Sequence, residues 1–171
     1  YSKYDSLDLS LNKFGKVINK KRQKKIYNVP SGNFCVEAIN ATAMLFKKSF
    51  IKKIKGWDEN IYTYHEDIDL CVKVRKNNRQ IIKSSKAVVH HVGFGSHKKE
   101  NKEKAELSRN WHWSWSKFYF SKKHDGYSYA LLRGFPKFLS SIIKCFFYYI
   151  VFKQYKSKIY YNRAFGFFNA M

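Results

Sequence analysis

Apolar positions in the first part of the chain predict short strands separated by short helices. The small apolar run 38–46, the pair Ile81–Ile82 and the run 87–91 are typical of buried strands. Between the first two runs, apolar residues at helical spacing predict one short helix that ends at Gly56 and a second helix that begins at Glu66. Residues 1–100 are therefore predicted to mix strands and helices.

The rest of the chain has a helical pattern. Leu107, Trp111, Trp115 and Phe118 recur at spacings of four, four and three, which predicts a helix over 102–120. The run 138–152 is almost entirely apolar and aromatic and follows Pro136, and the segment 155–171 reads as a further short, aromatic and basic helix. Residues 101–171 are therefore predicted to form a helical extension.

The run 138–152 is shorter than the roughly twenty residues that cross a bilayer, and it contains Lys144 near its centre. Aromatic side chains and flanking lysines favour a helix that lies in the interface of an anionic membrane surface. The alternative is a buried helix that covers a pocket of the same protein.

Composition adds a strong charge bias. The 171 residues include 44% hydrophobic side chains, which argues against disorder, and the net charge at pH 7 is +22. Such a charge predicts an anionic partner that carries phosphate groups, such as a phosphorylated small molecule, lipid headgroups or nucleic acid. The basic segment 13–25 reads as an exposed loop, and three widely separated cysteines suggest a reducing cytosol without disulfides.

Acidic residues are scarce, 12 against 34 Lys plus Arg, yet Glu66, Asp67 and Asp69 lie within four positions. They fall in the first turn of the predicted second helix, where the helix dipole favours an ionised carboxylate. An ionised carboxylate at such a place suits proton acceptance. The alternative is that Glu66 and Asp67 only cap a surface helix.

The block 39–96 resembles the second half of the catalytic domain of inverting glycosyltransferases of family 2, especially the rhamnosyltransferase-like bacterial branch. Four motifs of that family occur in order. They are a small-residue strand ending in Met44-Leu45, a Gly-aromatic-Asp-Glu turn at 56–59, an aromatic-x-Glu-Asp-x-Asp-Leu-Cys helix start at 64–71, and a Val-x-His strand before the Gly-rich turn at 93–96.

The resemblance implies an α/β fold, namely the acceptor-side half of a GT-A-type nucleotide-diphospho-sugar transferase at 1–100, followed by the helical, membrane-proximal extension at 101–171. It implies transfer of a sugar from a nucleotide-sugar donor to a lipid-linked or polysaccharide acceptor with inversion, as in cell-envelope polysaccharide biosynthesis. The expected location is cytoplasmic and peripheral, on the inner face of the cell membrane.

Carried over residue by residue, the resemblance makes Asp67 the catalytic base that deprotonates the acceptor hydroxyl. Glu66, Trp57, Asp69 and Arg109 would contact the acceptor or substrate; for Arg109, the alternative is a solvated side chain.

The resemblance also implies a divalent metal, Mg or Mn, held in part by a histidine. His91 is the expected metal ligand, and His90 is the reserve. Strand alternation sends the two histidines to opposite faces, so at most one of them would reach the site.

The sequence departs from the family pattern before the first motif. Residues 1–31 are polar, lysine-rich and too short for the nucleotide-binding half, and no Asp-x-Asp precedes the predicted pocket. We therefore expect a fragment of a longer enzyme, with a truncated product as the alternative, and we expect the isolated chain to be inactive. A further departure is Ala41, where the family often has glycine.

A different class of function is a basic module without catalytic activity that binds nucleic acid or a membrane surface. Interleaved aromatic and basic residues suit single-stranded RNA. No RNP-type or zinc-finger pattern accompanies the charge, and basicity alone does not explain the acids at 66–69.

Overall fold

The computed structural model describes residues 10–11, 17–18, 32–90 and 101–171. These residues divide into two compact units. The first unit contains the described residues up to 59 and those from 66 to 90, and the second contains 60–65 and 101–171. The predicted basic loop at 13–25 falls largely outside the described residues, as does His91.

The first unit contains two small antiparallel sheets and two helices. Strand β1 (Ser10–Leu11) pairs with β2 (Val17–Ile18), and β3 (Asn33–Val36) pairs with β4 (Ile81–Ser84). The register of the second sheet aligns Asn33 with Ser84 and Val36 with Ile81. Helix α1 is Lys48–Lys53, and helix α2 is Glu66–Lys76.

The core of this unit forms where α2 packs beside β4 and the segment after β3. Ala38, Cys71, Val74 and Ile81 are its buried residues. Cys71 and Val74 are three positions apart and therefore share one face of α2. The partly buried side chains around this core are those of Val36, Ile39, Met44, Phe46, Phe50 and Ile54.

Helix α1 ends where the sequence predicts. Gly56 has a φ of 54°, and its N–H donates to the carbonyl of Ile51 at 2.9 Å, which closes the last turn. The ammonium of Lys73 donates to the Gly56 carbonyl at 3.0 Å and so joins this turn to α2.

The second unit is built from three helices, α3 (Lys102–Asp125), α4 (Tyr127–Ile150) and α5 (Gln154–Ala170), each of which contacts the other two. Its buried core consists of Phe118, Ala130, Phe167 and Ala170. Phe167 of α5 contacts Phe118 of α3 edge-on at 4.8 Å and stacks on Phe138 of α4 at 5.2 Å between ring centroids. Phe167 therefore links all three helices.

The prediction of an α/β fold of the GT-A type is wrong. The described residues are mostly helical, and their strands form two separate two-stranded antiparallel sheets instead of a parallel sheet with helical crossovers.

The predicted strand at 38–46 is replaced by a turn because Asn40 competes with strand pairing: its Oδ1 accepts from Thr42 N at 3.0 Å and from Thr42 Oγ1 at 2.7 Å. Residues 87–90 are also irregular, with Val88 73% exposed, so the alternating apolar pattern there does not reflect burial in a sheet.

Several helix predictions are confirmed. Helix α2 begins at Glu66, α3 covers the predicted 102–120 and continues to Asp125, and α5 covers most of 155–171. The strand at Ile81 is confirmed as β4. Pro136 does not begin the next helix, since it lies inside α4, which starts at Tyr127.

Candidate functional site

The candidate site in the first unit is the N-terminus of α2, where two sequence motifs meet. Asp67 Oδ2 accepts from Ala41 N at 3.4 Å, and its Oδ1 accepts from Ile68 N at 2.8 Å. Four residues along the helix, Cys71 Sγ lies 3.5 Å from Ile39 N and 3.7 Å from Ile39 O, within hydrogen-bonding range of both. The small-residue segment and the acidic helix start are thereby held together.

Burial sets the acidity of the two leading carboxyl groups. Desolvation raises the pKa of Asp67, and it outweighs the backbone hydrogen bonds from Ile68 and Ala41, which lower that pKa. The pKa of Glu66 is raised as well, first by desolvation and then by the charge of Asp67. The structure thus opposes the helix-dipole argument, which favours ionisation.

Glu66 carries a second feature of interest. Its Oε2 is buried and has no hydrogen-bond partner among the described residues. A buried carboxyl oxygen without a partner is unusual, because an unsatisfied polar atom costs the folded state about 1–3 kcal/mol.

Asp69 lies deeper than the other two acids and faces the protein itself. It is 1% exposed, and its carboxylate lies 3.8 Å from the ammonium of Lys73, one turn along α2. Because Lys73 also binds the Gly56 carbonyl, the Asp69–Lys73 pair stabilises the packing of the α1 turn on α2. Trp57, in that same turn, is 42% exposed and free to contact a flat ligand surface.

Of the two histidines predicted for the metal, the structure describes His90 alone. His90 is exposed in an irregular segment, and His91 lies outside the described residues. No group of three or more His, Cys, Asp and Glu side chains within 32–90 and 101–171 has the arrangement of a metal site. The described residues therefore do not fit a bound divalent metal.

A shallow cleft of about 160 Å³ in the first unit is lined by side chains of β3, β4 and the end of α2. Its lining residues are Cys35, Val36, Arg75, Arg79, Gln80 and Ile81. No carboxylate of the candidate site lines this cleft.

Arg109 belongs to the second unit, where it binds Tyr64, the aromatic residue that opens the motif at 64–71. Its Nε donates to the hydroxyl of Tyr64 at 2.7 Å, and the Tyr64 ring meets Trp113 edge-on at 5.2 Å. The neighbouring Thr63 carbonyl accepts from the fully buried Ser116 at 2.6 Å. These contacts attach the segment 60–65 to α3.

Tyr64 and His65 both adopt left-handed backbone conformations, with φ of 64° and 66°. Such conformations are rare for bulky residues and mark a locally strained backbone. The sequence signals the aromatic character of this segment but not its strain, because the strain depends on side-chain contacts with α3.

In comparisons with protein-family models, curated proteins and solved structures, no significant match to this chain was found. Within the described part of the chain, no helix combines the length and apolar character needed to cross a membrane.

Proposed function

We propose that this chain is part of an inverting glycosyltransferase in which Asp67 is the catalytic base. An acceptor hydroxyl attacks the anomeric carbon of a nucleotide sugar, and its proton passes to the Asp67 carboxylate as the new C–O bond forms. The bond between the anomeric carbon and the phosphate oxygen breaks, and the nucleoside diphosphate leaves with the electron pair.

The observation that carries this proposal is the partly buried Asp67 at the start of α2, held against Ala41. A raised pKa makes its carboxylate a stronger base than an exposed aspartate. The two backbone hydrogen bonds fix its position and leave lone pairs on both oxygens for an incoming hydroxyl.

The neighbouring residues support the same assignment. Glu66 lies next to the base in the first turn of α2, and by resemblance we assign it to contact with the acceptor. Trp57 is sufficiently exposed to pack against a sugar ring. We assign Asp69 to structural support instead, since its carboxylate faces Lys73.

Of the four motifs that carry the family resemblance, two form hydrogen bonds with α2 and a third forms the start of α2 itself. The small-residue segment bonds to Asp67 and Cys71, the Gly56 turn bonds to Lys73, and the acidic motif forms the helix start itself. This support comes from local contacts and does not depend on the overall fold class. By resemblance, we propose a lipid-linked or polysaccharide acceptor and a peripheral location on the cytoplasmic face of the cell membrane.

No step of this reaction is routed through a metal, because the described residues do not fit one. The requirement for Mg or Mn, with His91 as a ligand, stays a separate proposal. Arg109 is already bound to Tyr64, so an acceptor phosphate would have to share it with the tyrosine hydroxyl.

The test is the substitution Asp67→Asn in the intact gene product, assayed for transfer from nucleotide-sugar donors. Loss of the base is expected to lower kcat by about 10²- to 10⁴-fold while the dissociation constant of the donor changes little. Glu103→Gln, the matched amide change at an exposed acid in the first turn of α3, is expected to leave transfer unchanged.

A folding control keeps the result interpretable. Asn offers one acceptor oxygen where Asp67 accepts two backbone N–H groups, so thermal unfolding of the Asp67→Asn protein is measured beside its activity. Turnover near the unsubstituted rate in a folded Asp67→Asn protein would rule out the assigned role.

A further inference from the structure

Helix α4 packs on its neighbours through one face. Phe138 stacks on Phe167, Tyr148 stacks on Tyr160 at 5.4 Å between centroids, and the Cys145 carbonyl accepts from Ser157 Oγ at 3.0 Å. Phe138, Cys145 and Tyr148 are spaced by seven and then three residues, so they lie on the same side of α4. The opposite side of α4 therefore faces away from α5.

That opposite side is apolar and exposed. At 100° per residue, its members fall within an arc of about 100°. They are Leu132, Leu139, Ile143, Phe146, Phe147 and Ile150, with exposed fractions between 47% and 80%. We call this set the outer face of α4. Contiguous exposed apolar surface of this kind marks an interaction site in a soluble domain.

One border of the outer face is cationic. Arg133, Lys137 and Lys144 are exposed and lie along the same edge of α4. Lys117 of α3 adds to this border: desolvation lowers its pKa to about 8, and the nearby positive charges of Lys137 and Arg133 lower it further. Three cations held this close repel one another, and an anion beside them would relieve the repulsion.

Within α4 and α5, no acid offsets this charge. From residue 126 to 171 the sequence contains no Asp or Glu. The cations of that stretch are Arg133, Lys137, Lys144, Lys153, Lys156, Lys158 and Arg163.

We propose that the outer face of α4 docks on the surface of an anionic phospholipid membrane, with the helix axis parallel to the bilayer. The stripe from Leu132 to Ile150 extends over about 27 Å at 1.5 Å per residue. Its apolar side chains enter the boundary between headgroups and acyl chains, while Lys137 and Arg133 pair with lipid phosphates. This docking is independent of the transfer reaction proposed above.

The charge beside the outer face of α4 favours an anionic membrane over a second copy of the chain as its partner. Pairing two outer faces brings two cationic borders together in an apolar setting, where like charges are costly. An anionic lipid surface supplies the opposite charge and the apolar layer together, and so complements both features of the face.

The experiment is co-sedimentation of the 171-residue chain with vesicles of phosphatidylcholine, with and without phosphatidylglycerol, at about 0.15 M salt. Binding is expected to require the anionic lipid. The double substitution Phe146→Ser/Phe147→Ser is expected to weaken it at least tenfold, because two exposed aromatic rings no longer enter the interface. Leu45→Ser/Val88→Ser, at exposed apolar residues of the first unit, is the matched control and is expected to change nothing.

A charge series separates docking from general attraction. Arg133→Gln/Lys137→Gln/Lys144→Gln is expected to weaken binding at least tenfold, and more than the equally sized change Lys48→Gln/Lys52→Gln/Lys53→Gln on the exposed side of α1. Equal effects of the two triple changes, with no effect at Phe146 and Phe147, would mean that the whole basic surface adsorbs and would overturn the proposal.

Folding and oligomeric state are measured on the same variants. Circular dichroism reports whether the serine variants remain folded, and Leu132→Ser/Ile143→Ser probes the same face if the aromatic pair is not tolerated. Sedimentation velocity reports the oligomeric state. A dimer that dissociates on Phe146→Ser/Phe147→Ser would show that a second copy covers the face and would refute membrane docking.

Discussion

His65 is an imidazole enclosed by aromatic rings of α3, with Trp113 at 5.3 Å and Phe120 at 5.6 Å between centroids. Its Nδ1 is buried and has no hydrogen-bond partner among the described residues. Burial lowers its pKa to about 4, assisted by the positive charge of Lys117. The folded protein therefore holds His65 neutral under conditions in which the unfolded chain protonates it.

This difference predicts a loss of stability in acid. Because the folded pKa lies below the unfolded value of 6.5, the stabilisation is complete above pH 6.5 and is lost as the pH falls toward about 4. The expected loss from this group is about 3 kcal/mol. Urea unfolding at pH 7 and pH 4.5 measures it, and His65→Gln is expected to flatten the dependence. An unchanged pH slope in that variant would contradict the buried neutral imidazole.

For Asp67, the position in the helix depends on local sequence, whereas the pKa depends on tertiary packing. The sequence correctly places it in the first turn of a helix, since the apolar spacing after Ile68 is a local signal. The helix dipole by itself predicts a lowered pKa for Asp67, but the pKa is raised, because desolvation depends on which segments pack over the carboxylate.

At the scale of elements, two glycines allow the helices of the second unit to approach closely. A Cβ on Gly166 of α5 would lie 2.3 Å from the Trp111 carbonyl oxygen of α3. A Cβ on Gly134 of α4 would lie 2.1 Å from the Phe167 ring. Backbone cannot rotate aside as a side chain can, so the contact at Gly166 is the less adaptable of the two.

We therefore expect Gly166→Ala to destabilise the protein by about 1–3 kcal/mol through overpacking. The gain in helix propensity, about 1 kcal/mol, offsets this only in part. Thermal unfolding measures the change, with Lys158→Ala at an exposed position of α5 as the control. A more stable Gly166→Ala variant would show that α3 and α5 are able to separate at this point.

The strand predictions at 38–46 and 87–90 failed, whereas the one at Ile81 succeeded, because a strand forms only where a partner strand is present. A run such as 87–90 has apolar residues suited to a sheet, but a strand needs a partner with free N–H and C=O groups. The helix predictions for α2 and α3 succeeded because helical hydrogen bonds are internal to the segment, so their periodic pattern suffices.

At the scale of the whole molecule, a net charge of +22 predicts strong and unspecific attraction to polyanions. Binding to single-stranded RNA is expected to fall by roughly 10²- to 10⁴-fold between 50 and 200 mM salt if six to ten phosphates are neutralised. Filter binding across that salt range measures it. Affinity that persists at 200 mM salt and falls with Trp113→Ala would instead favour the nucleic-acid module, since Trp113 is 47% exposed and able to stack on a base.

The sequence by itself determined the helices, the cationic character and the position of the acidic cluster at the start of α2, because periodicity, charge and helix-start signals are local. Tertiary structure alone decided that the strands do not form an α/β sheet and that Asp69 pairs inward with Lys73. It also decided that the outer face of α4 stays exposed. Burial and pairing depend on which distant segments pack together, and that information is not contained in the pattern of any one segment.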